Sequence, residues 1–314
     1  MKKVSILIPA YNEENSIHYL YDRLQILFAQ NIDYEWEVLF VNDGSSDNTL
    51  VLLQQIHTKD NRFNYLDLSR NFGKELAMLA GFDYVTGDCM VIMDADLQHP
   101  PELINEMLVY WEQGYDDVYA KRRVRGGESV LRQKTSRLFY KLLQKVTDVE
   151  IQQDTGDFRL LDKSCINALR SIRESQRYTK GMYSWIGFQK KEIIFDQQAR
   201  IAGDSKWSYF KLFNLAIEGI TSFTTSPLRI SSFIGIIVSL GTFIYMIFIF
   251  IQALLYGDPV QGYPTLMIVI LFLGGVQLLS LGVIGEYLGR IFLETKKRPP
   301  YFARSYNGSK IENI

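Results

Sequence analysis

Four short stretches of the chain carry side chains that could act together on a phosphorylated ligand. Asp94-Ala95-Asp96 presents two carboxylates one residue apart, directly after the apolar run Cys89–Met93. Such a pair of hard oxygen donors suits Mg2+ or Mn2+ bridging a diphosphate. Tyr11-Asn12-Glu13 and Asp43-Gly44-Ser45 follow apolar runs in the same way. In Gln153-Asp154-Thr155-Gly156-Asp157-Phe158-Arg159, Asp157 and Arg159 are two apart, hence on one face of a strand. The plain alternatives are a turn with two solvated acids at Asp94 and Asp96, and a structural ion pair at Asp157 and Arg159. A basic stretch holds Lys121, Arg122, Arg123, Arg125, Arg132, Lys134, Arg137, Lys141 and Lys145. Charge alone makes it a solvated face; an anion nearby makes it a contact for a phosphate or an anionic lipid head group. Arg132 and Ser136 are four apart and share a helix face. The polar stretch from Arg200 through Gly203 to Lys206 and Trp207 reads as a loop able to close over a ligand, or as a linker.

Strands must position these groups. Val4–Pro9 is an apolar, β-branched run, and Val38–Val41, Tyr65–Leu68, the run before Asp94 and Asp117–Lys121 read as further strands. Between the first two, Ile17, Leu20, Leu24 and Leu27 recur at helical spacing, with Asn12 or Asn15 to cap the helix. Gly44 permits a tight turn. Arg70-Asn71-Phe72-Gly73-Lys74 leads into a helix reaching about Val85, and Pro100-Pro101 starts another. Gln153–Leu161 and Ile193–Phe195 are further strands. Alternating strands and helices predict an α/β fold with a doubly wound, mostly parallel sheet. In such a sheet the strands' carboxyl ends share one edge, so the acidic loops converge in a crevice. That convergence predicts an acidic, metal-dependent pocket; no G-x-G-x-x-G follows the first strand and no Walker-type loop occurs, which argues against a Gly-rich dinucleotide site.

The 314 residues carry a net charge of −1, which argues against a general nucleic-acid binder. The two cysteines, Cys89 and Cys165, fit reduced thiols on a cytoplasmic face. Lys2 and Lys3 precede an apolar run too short for a signal peptide. Residues 1–225 are mixed and charged, and form the expected globular domain; roughly 228–293 are strongly apolar. Within 206–225, Tyr209, Phe210, Leu212, Phe213, Ile217 and Ile220 make an apolar face broken by Lys211 and Glu218, which suits a helix at the membrane surface or a packed domain helix. Residues 229–256 and 263–289 are each long enough to span a bilayer of about 30 Å. The turn between them has no Lys or Arg. Arg229 stands at the outer end of the first span, while Arg290, Lys296, Lys297, Arg298 and Arg304 follow the second in a basic tail, 290–314. That asymmetry predicts a multi-pass protein of the cell membrane with both termini cytoplasmic. Gly274, Gly275, Gly282, Gly285 and Gly289 offer a helix-packing or homo-oligomer face.

With Pro9-Ala10-Tyr11-Asn12-Glu13, Asp43-Gly44-Ser45, Asp94-Ala95-Asp96-Leu97-Gln98, Thr155-Gly156-Asp157-Phe158-Arg159 and Ser205-Lys206-Trp207 in order, the chain resembles the family-2, GT-A-fold glycosyltransferases of the dolichyl-phosphate mannose synthase type. It is most similar to the bacterial polyprenyl-phosphate (bactoprenol) glycosyltransferases with two membrane spans, from Pro9 to Arg298-Pro299-Pro300-Tyr301. The resemblance implies that Pro9, Tyr11, Glu13 and Asp43 hold the base and ribose of a nucleotide sugar, with Asn12, Lys74 and Ala95 also at the donor. It implies Asp94, Asp96 and Gln98 for the metal and donor diphosphate, and Arg122, Arg200 and Lys206 for phosphates. Arg132 and Ser136 would meet the lipid phosphate, and Asp157, with Asp96 and Arg159, would stand at the reacting centre. The implied reaction is inverting transfer of one sugar, glucose from UDP-glucose by preference, to polyprenyl phosphate for cell-envelope glycan modification. The Gln-x-x-Arg-Trp signature of processive synthases is absent, which argues against chain extension. A glycan synthase with a sugar acceptor and a non-catalytic nucleotide-sugar sensor are the competing readings. A phosphomonoester acceptor is mostly dianionic above its second pKa of about 6. Asp157 is therefore expected to orient a partner or stabilise positive charge, with a role as general base as the alternative.

Overall fold

Val4 to Ile8 are fully buried, and they form the middle of the first strand, β1 (Lys2–Ala10). A strand covered on both faces reads as a continuous apolar run, not an alternating one. The computed structural model describes residues 1–123, 155–174, 177–195, 226–256 and 262–311. After β1 come α1 (Ile17–Gln30), β2 (Tyr34–Asn42), α2 (Thr49–Lys59), β3 (Phe63–Leu68), α3 (Lys74–Tyr84), β4 (Cys89–Ile92), α4 (Leu103–Glu112) and β5 (Asp117–Arg122). Then follow β6 (Thr155–Asp162), α5 (Lys163–Ser171), α6 (Thr179–Trp185), β7 (Lys190–Phe195), α7 (Ser226–Tyr256), α8 (Tyr263–Thr295), β8 (Ala303–Tyr306) and β9 (Ser309–Lys310). Helix α1 buries Ile17, Leu20, Leu24 and Leu27, the stripe its spacing predicts.

The sheet runs in the order β7-β5-β6-β4-β1-β2-β3-β8-β9. Strand β1 pairs in parallel with β2 and β4, β2 with β3, and β5 with β7. The pairs β4/β6, β5/β6, β3/β8 and β8/β9 are antiparallel. The sheet is therefore mixed, which corrects the expectation of a mostly parallel one. Apolar patterning reports that a strand is buried; it does not report the strand's direction. Strand order reverses at β1, with β2 and β3 on one side and β4 on the other, so a crevice opens beyond the carboxyl ends of β1 and β4. Strand β6 lies against β4 with Ile92 opposite Arg159. Being antiparallel, it brings its amino end, not its carboxyl end, to that crevice.

Helix α3 buries every residue from Ala77 to Phe82, because it packs on β1 and β2 and against α5. The segment after α8 is more than the expected basic tail. Strand β8 pairs with β3, and Arg304 reaches the buried carboxylate of Asp67 at 3.4 Å. The described residues fall into two units, the sheet with α1–α6, and the hairpin of α7 and α8. In the hairpin the Ser231 hydroxyl donates to Ser280 Oγ at 2.9 Å. Helix α7 covers the first expected span and α8 the second, running on to Thr295. Among the described residues one stretch, Phe272–Thr295, is long and apolar enough to cross a membrane. The expected surface helix at 206–225 lies outside the described residues.

Candidate active site

A cavity of about 390 Å³ opens at the carboxyl ends of β1, β2 and β4. Pro9, Ala10, Tyr11, Glu13, Asp43, Lys74, Asp94, Ala95 and Asp96 line it, together with Asn71, Gly73 and Ala77, which the sequence motifs do not signal. The three acidic loops thus meet, as the strand alternation implies.

Hydrogen bonds within the loops fix its walls. Asn12, with φ +57°, accepts the Ser46 N–H on Oδ1 at 2.8 Å, which ties the loop after β1 to the loop after β2. Both carboxylate oxygens of buried Asp43 are occupied, accepting the N–H of Phe72 at 2.7 Å and of Gly73 at 2.9 Å. Burial raises the Asp43 pKa, with these two bonds working the other way. Asp43 therefore shapes the pocket by holding the loop that starts α3. That loop passes close under Gly44, whose φ is +66°; a Cβ there would lie 2.5 Å from Arg70 C and Asn71 N. Gly44→Ala should then lower the unfolding midpoint, since the left-handed conformation alone costs about 1–3 kcal/mol. An unchanged denaturant midpoint would show that the two loops separate freely.

Asp94 and Asp96 sit in a tight turn. Leu97 has φ +58°, and the Gln98 N–H donates to Asp96 Oδ1 at 3.1 Å. Lys74 reaches across from α3, its Nζ 2.6 Å from Asp94 Oδ1 and 2.7 Å from Asp157 Oδ2. The side chains are 41% exposed for Lys74, 32% for Asp94 and 9% for Asp157, so the bridge runs from the cavity into the protein. Burial opposes charge on all three groups, and their mutual attraction outweighs it. The Lys74 pKa is raised, that of Asp94 is lowered, and that of Asp157 is held far below the usual carboxylate range.

Several expected residues stand elsewhere. Arg159, expected at the reacting centre, is fully buried; its Nη1 lies 2.9 Å from Asp117 Oδ2 and its guanidinium 3.6 Å from the Tyr183 ring centre. It does share a strand face with Asp157, but lies two residues, about 6.6 Å, further from the rim. Asn12, Gln98 and Arg122, expected at the donor, are not among the described residues that line the cavity, and Asp157, expected at the reacting centre, lies behind its wall, reached through Lys74. Arg132, Ser136, Arg200 and Lys206 lie outside the described residues. His99, which the motifs do not single out, is buried against Phe158 with ring centres 4.8 Å apart. Neither of its nitrogens has a hydrogen-bond partner among the described residues. Burial lowers its pKa, with Asp94 and Asp96 opposing.

Among the described residues no group of three or more His, Cys, Asp or Glu side chains is arranged to hold a metal ion. Two carboxylates on a cavity wall nevertheless fit a Mg2+ or Mn2+ site of the kind completed by substrate phosphates. Gln98 contributes to Asp96 through its backbone rather than standing beside it on the wall.

Residues 5–170 match the family described as Glycosyl transferase family 2, and residues 226–291 match the GtrB C-terminal hairpin. An uncharacterized glycosyltransferase of Synechocystis sp. is 46% identical over 95% of this chain and 94% of its own length. The bactoprenol glucosyl transferase of Shigella phage SfX is 42% identical, covering 96% of this chain and 99% of its own. The prophage bactoprenol glucosyl transferase homolog of Escherichia coli is 41% identical, covering 96% and 98%. Among solved structures, the glucosyl-3-phosphoglycerate synthase of Mycobacterium tuberculosis aligns at a TM-score of 0.45 and 17% identity, over 70% of this chain and 77% of its own.

Proposed function

The chain belongs to glycosyl transferase family 2, and from that membership we propose that it transfers a single glucose, with inversion, from UDP-glucose to a polyprenyl phosphate at the cytoplasmic face of the cell membrane. The observation that carries the donor half is the acidic cavity walled by Glu13, Asp43, Asp94 and Asp96. The acceptor and the sugar rest on relatives named bactoprenol glucosyl transferase that match nearly from end to end. The hairpin match over 226–291 and the basic residues flanking it support two spans with both termini cytoplasmic. An acceptor that cannot leave the bilayer then meets a donor that cannot enter it.

Asp94 and Asp96 would hold Mg2+ or Mn2+, which when bound neutralises charge on the leaving diphosphate. Pro9, Tyr11 and Glu13 would hold the nucleoside, and Asp43 would act through the loop that it clamps. Arg122, Arg200 and Lys206 would contact donor phosphates, and Arg132 and Ser136 the acceptor phosphate, as the family resemblance implies. An acceptor phosphate oxygen attacks C1 of the sugar; the C1–oxygen bond to the diphosphate breaks, and UDP leaves with the electron pair. The nucleophile arrives mostly dianionic at neutral pH, so no strong base is required. Asp157, ionised and braced by Lys74, orients the reacting groups and stabilises positive charge at C1.

Purified protein in lipid nanodiscs, given radiolabelled UDP-glucose and undecaprenyl phosphate, should yield a lipid-extractable product bearing one glucose. A water-soluble glucan, or no product with UDP-glucose, UDP-N-acetylhexosamine or GDP-mannose, would overturn the proposal.

A further inference from the structure

The ammonium of Lys74 lies against Asp94, one of the two carboxylates that would hold a metal. It stands between the cavity carboxylate Asp94 and the inner carboxylate Asp157, within hydrogen-bond distance of both. Its position is built in. Lys74 is the first residue of α3, and Asp43 pins the two preceding N–H groups, those of Phe72 and Gly73. Glu75, the next residue, accepts the Thr179 hydroxyl and, at 3.2 Å, the Thr179 N–H, which ties the same turn to α6. Helix α3 is held from the other side by β1, β2 and α5. Little remains for Lys74 to adjust beyond its own side chain, a compact charge on a flexible stem.

We propose that Lys74 is a resident counter-ion, exchanged for the divalent metal when the donor binds. Without donor it stands between Asp94 and Asp157, offsets half their combined charge and screens the repulsion between the two carboxylates. A metal ion arriving alone must displace an ammonium already paired with Asp94, so it binds weakly. A metal arriving with a diphosphate brings further oxygen ligands and compensates for that displacement. Lys74 then keeps Asp157 and gives up Asp94. It is a positioning residue, and it couples metal binding to donor binding. This rests on the metal reading of Asp94 and Asp96.

The test measures Mn2+ affinity of the full-length protein in detergent, by the electron paramagnetic resonance signal of free Mn2+, with and without UDP. In the wild type, UDP should strengthen Mn2+ binding. Lys74→Met should bind Mn2+ alone at least about tenfold more tightly, because a competing charge is gone, and its gain from UDP should shrink. Transfer by that variant should fall. Asp157→Asn should do the opposite to Mn2+ alone: Lys74, left with one carboxylate, pairs with Asp94 more firmly and weakens metal binding. Mere loss of packing would not move the two variants in opposite directions, and the second keeps the test open if the first fails to fold. Unchanged or weaker Mn2+ binding by Lys74→Met, with normal Mn2+ and UDP binding in the wild type, overturns the exchange alone. Wild-type Mn2+ binding that survives Asp96→Asn overturns the metal reading and the exchange with it.

Discussion

Asp96→Asn will abolish transfer while the protein stays folded and in the membrane. Asp96 is half-buried on the cavity wall, and its Oδ1 accepts the Gln98 N–H. Asparagine keeps an oxygen in that place, so the turn through Leu97, the most strained part of the loop, is retained. What is lost is one negative charge on the cavity wall proposed to hold the metal and diphosphate. Removing a single preorganised electrostatic contact in other enzymes costs about 10²–10³ in rate. Loss of one of only two carboxylates expected at a metal should cost at least that. Circular dichroism and membrane fractionation should match the wild type, and glycolipid formation should fall to background. Normal turnover in an assay replete with Mg2+ and Mn2+ would remove Asp96 from the site.

The convergence of the three acidic loops was legible in the sequence, because it follows from strand direction, and β1, β2 and β4 are parallel. The arrival of Asp157 was legible only as a motif. A parallel β6 would have carried the start of that strand to the opposite edge of the sheet. The antiparallel pairing with β4 sets Ile92 against Arg159, and two residues nearer the rim Asp157 reaches the same Lys74 ammonium as Asp94. Direction depends on how the chain returns between β5 and β6, which local patterning does not encode. Arg159 illustrates a related limit: a period of two gives the face of a strand but not the depth along it. The Lys74 bridge depends on where α3 begins, and that is set by Asp43, 31 positions earlier in the chain. Strand β8 is short and carries Arg304, so it reads as part of a basic tail until β3 and the Asp67 carboxylate are seen beside it.

The antiparallel β6 also decides what Asp157 can do. Burial alone would raise its pKa, but the Lys74 ammonium, helped by the charges of Lys180 and Arg159, outweighs burial and holds the carboxyl far below the usual range. A general base works best with a pKa near the working pH, so a carboxylate this acidic is a poor proton acceptor. The sign follows from the depressed value. The ionised form contributes stability above the unfolded pKa of about 3.9 and loses it only as pH falls through the still lower folded value. No ionisation of Asp157 therefore falls in an assay window of about pH 6–9. Transfer by the wild type should rise through about pH 6, where the acceptor phosphate loses its second proton, and then level off. Asp157→Asn should give a curve of the same shape, displaced downward by about 10²-fold, because asparagine cannot offset positive charge at C1 or retain the charge pair with Lys74. A general base predicts something different: with the base removed, the variant should regain rate steadily as pH rises above about 7, while the wild type stays level. Measuring kcat for both proteins across that window, with acceptor saturating, separates the two. Parallel curves assign Asp157 to charge stabilisation and orientation; a variant whose rate climbs toward the wild type returns it to proton transfer.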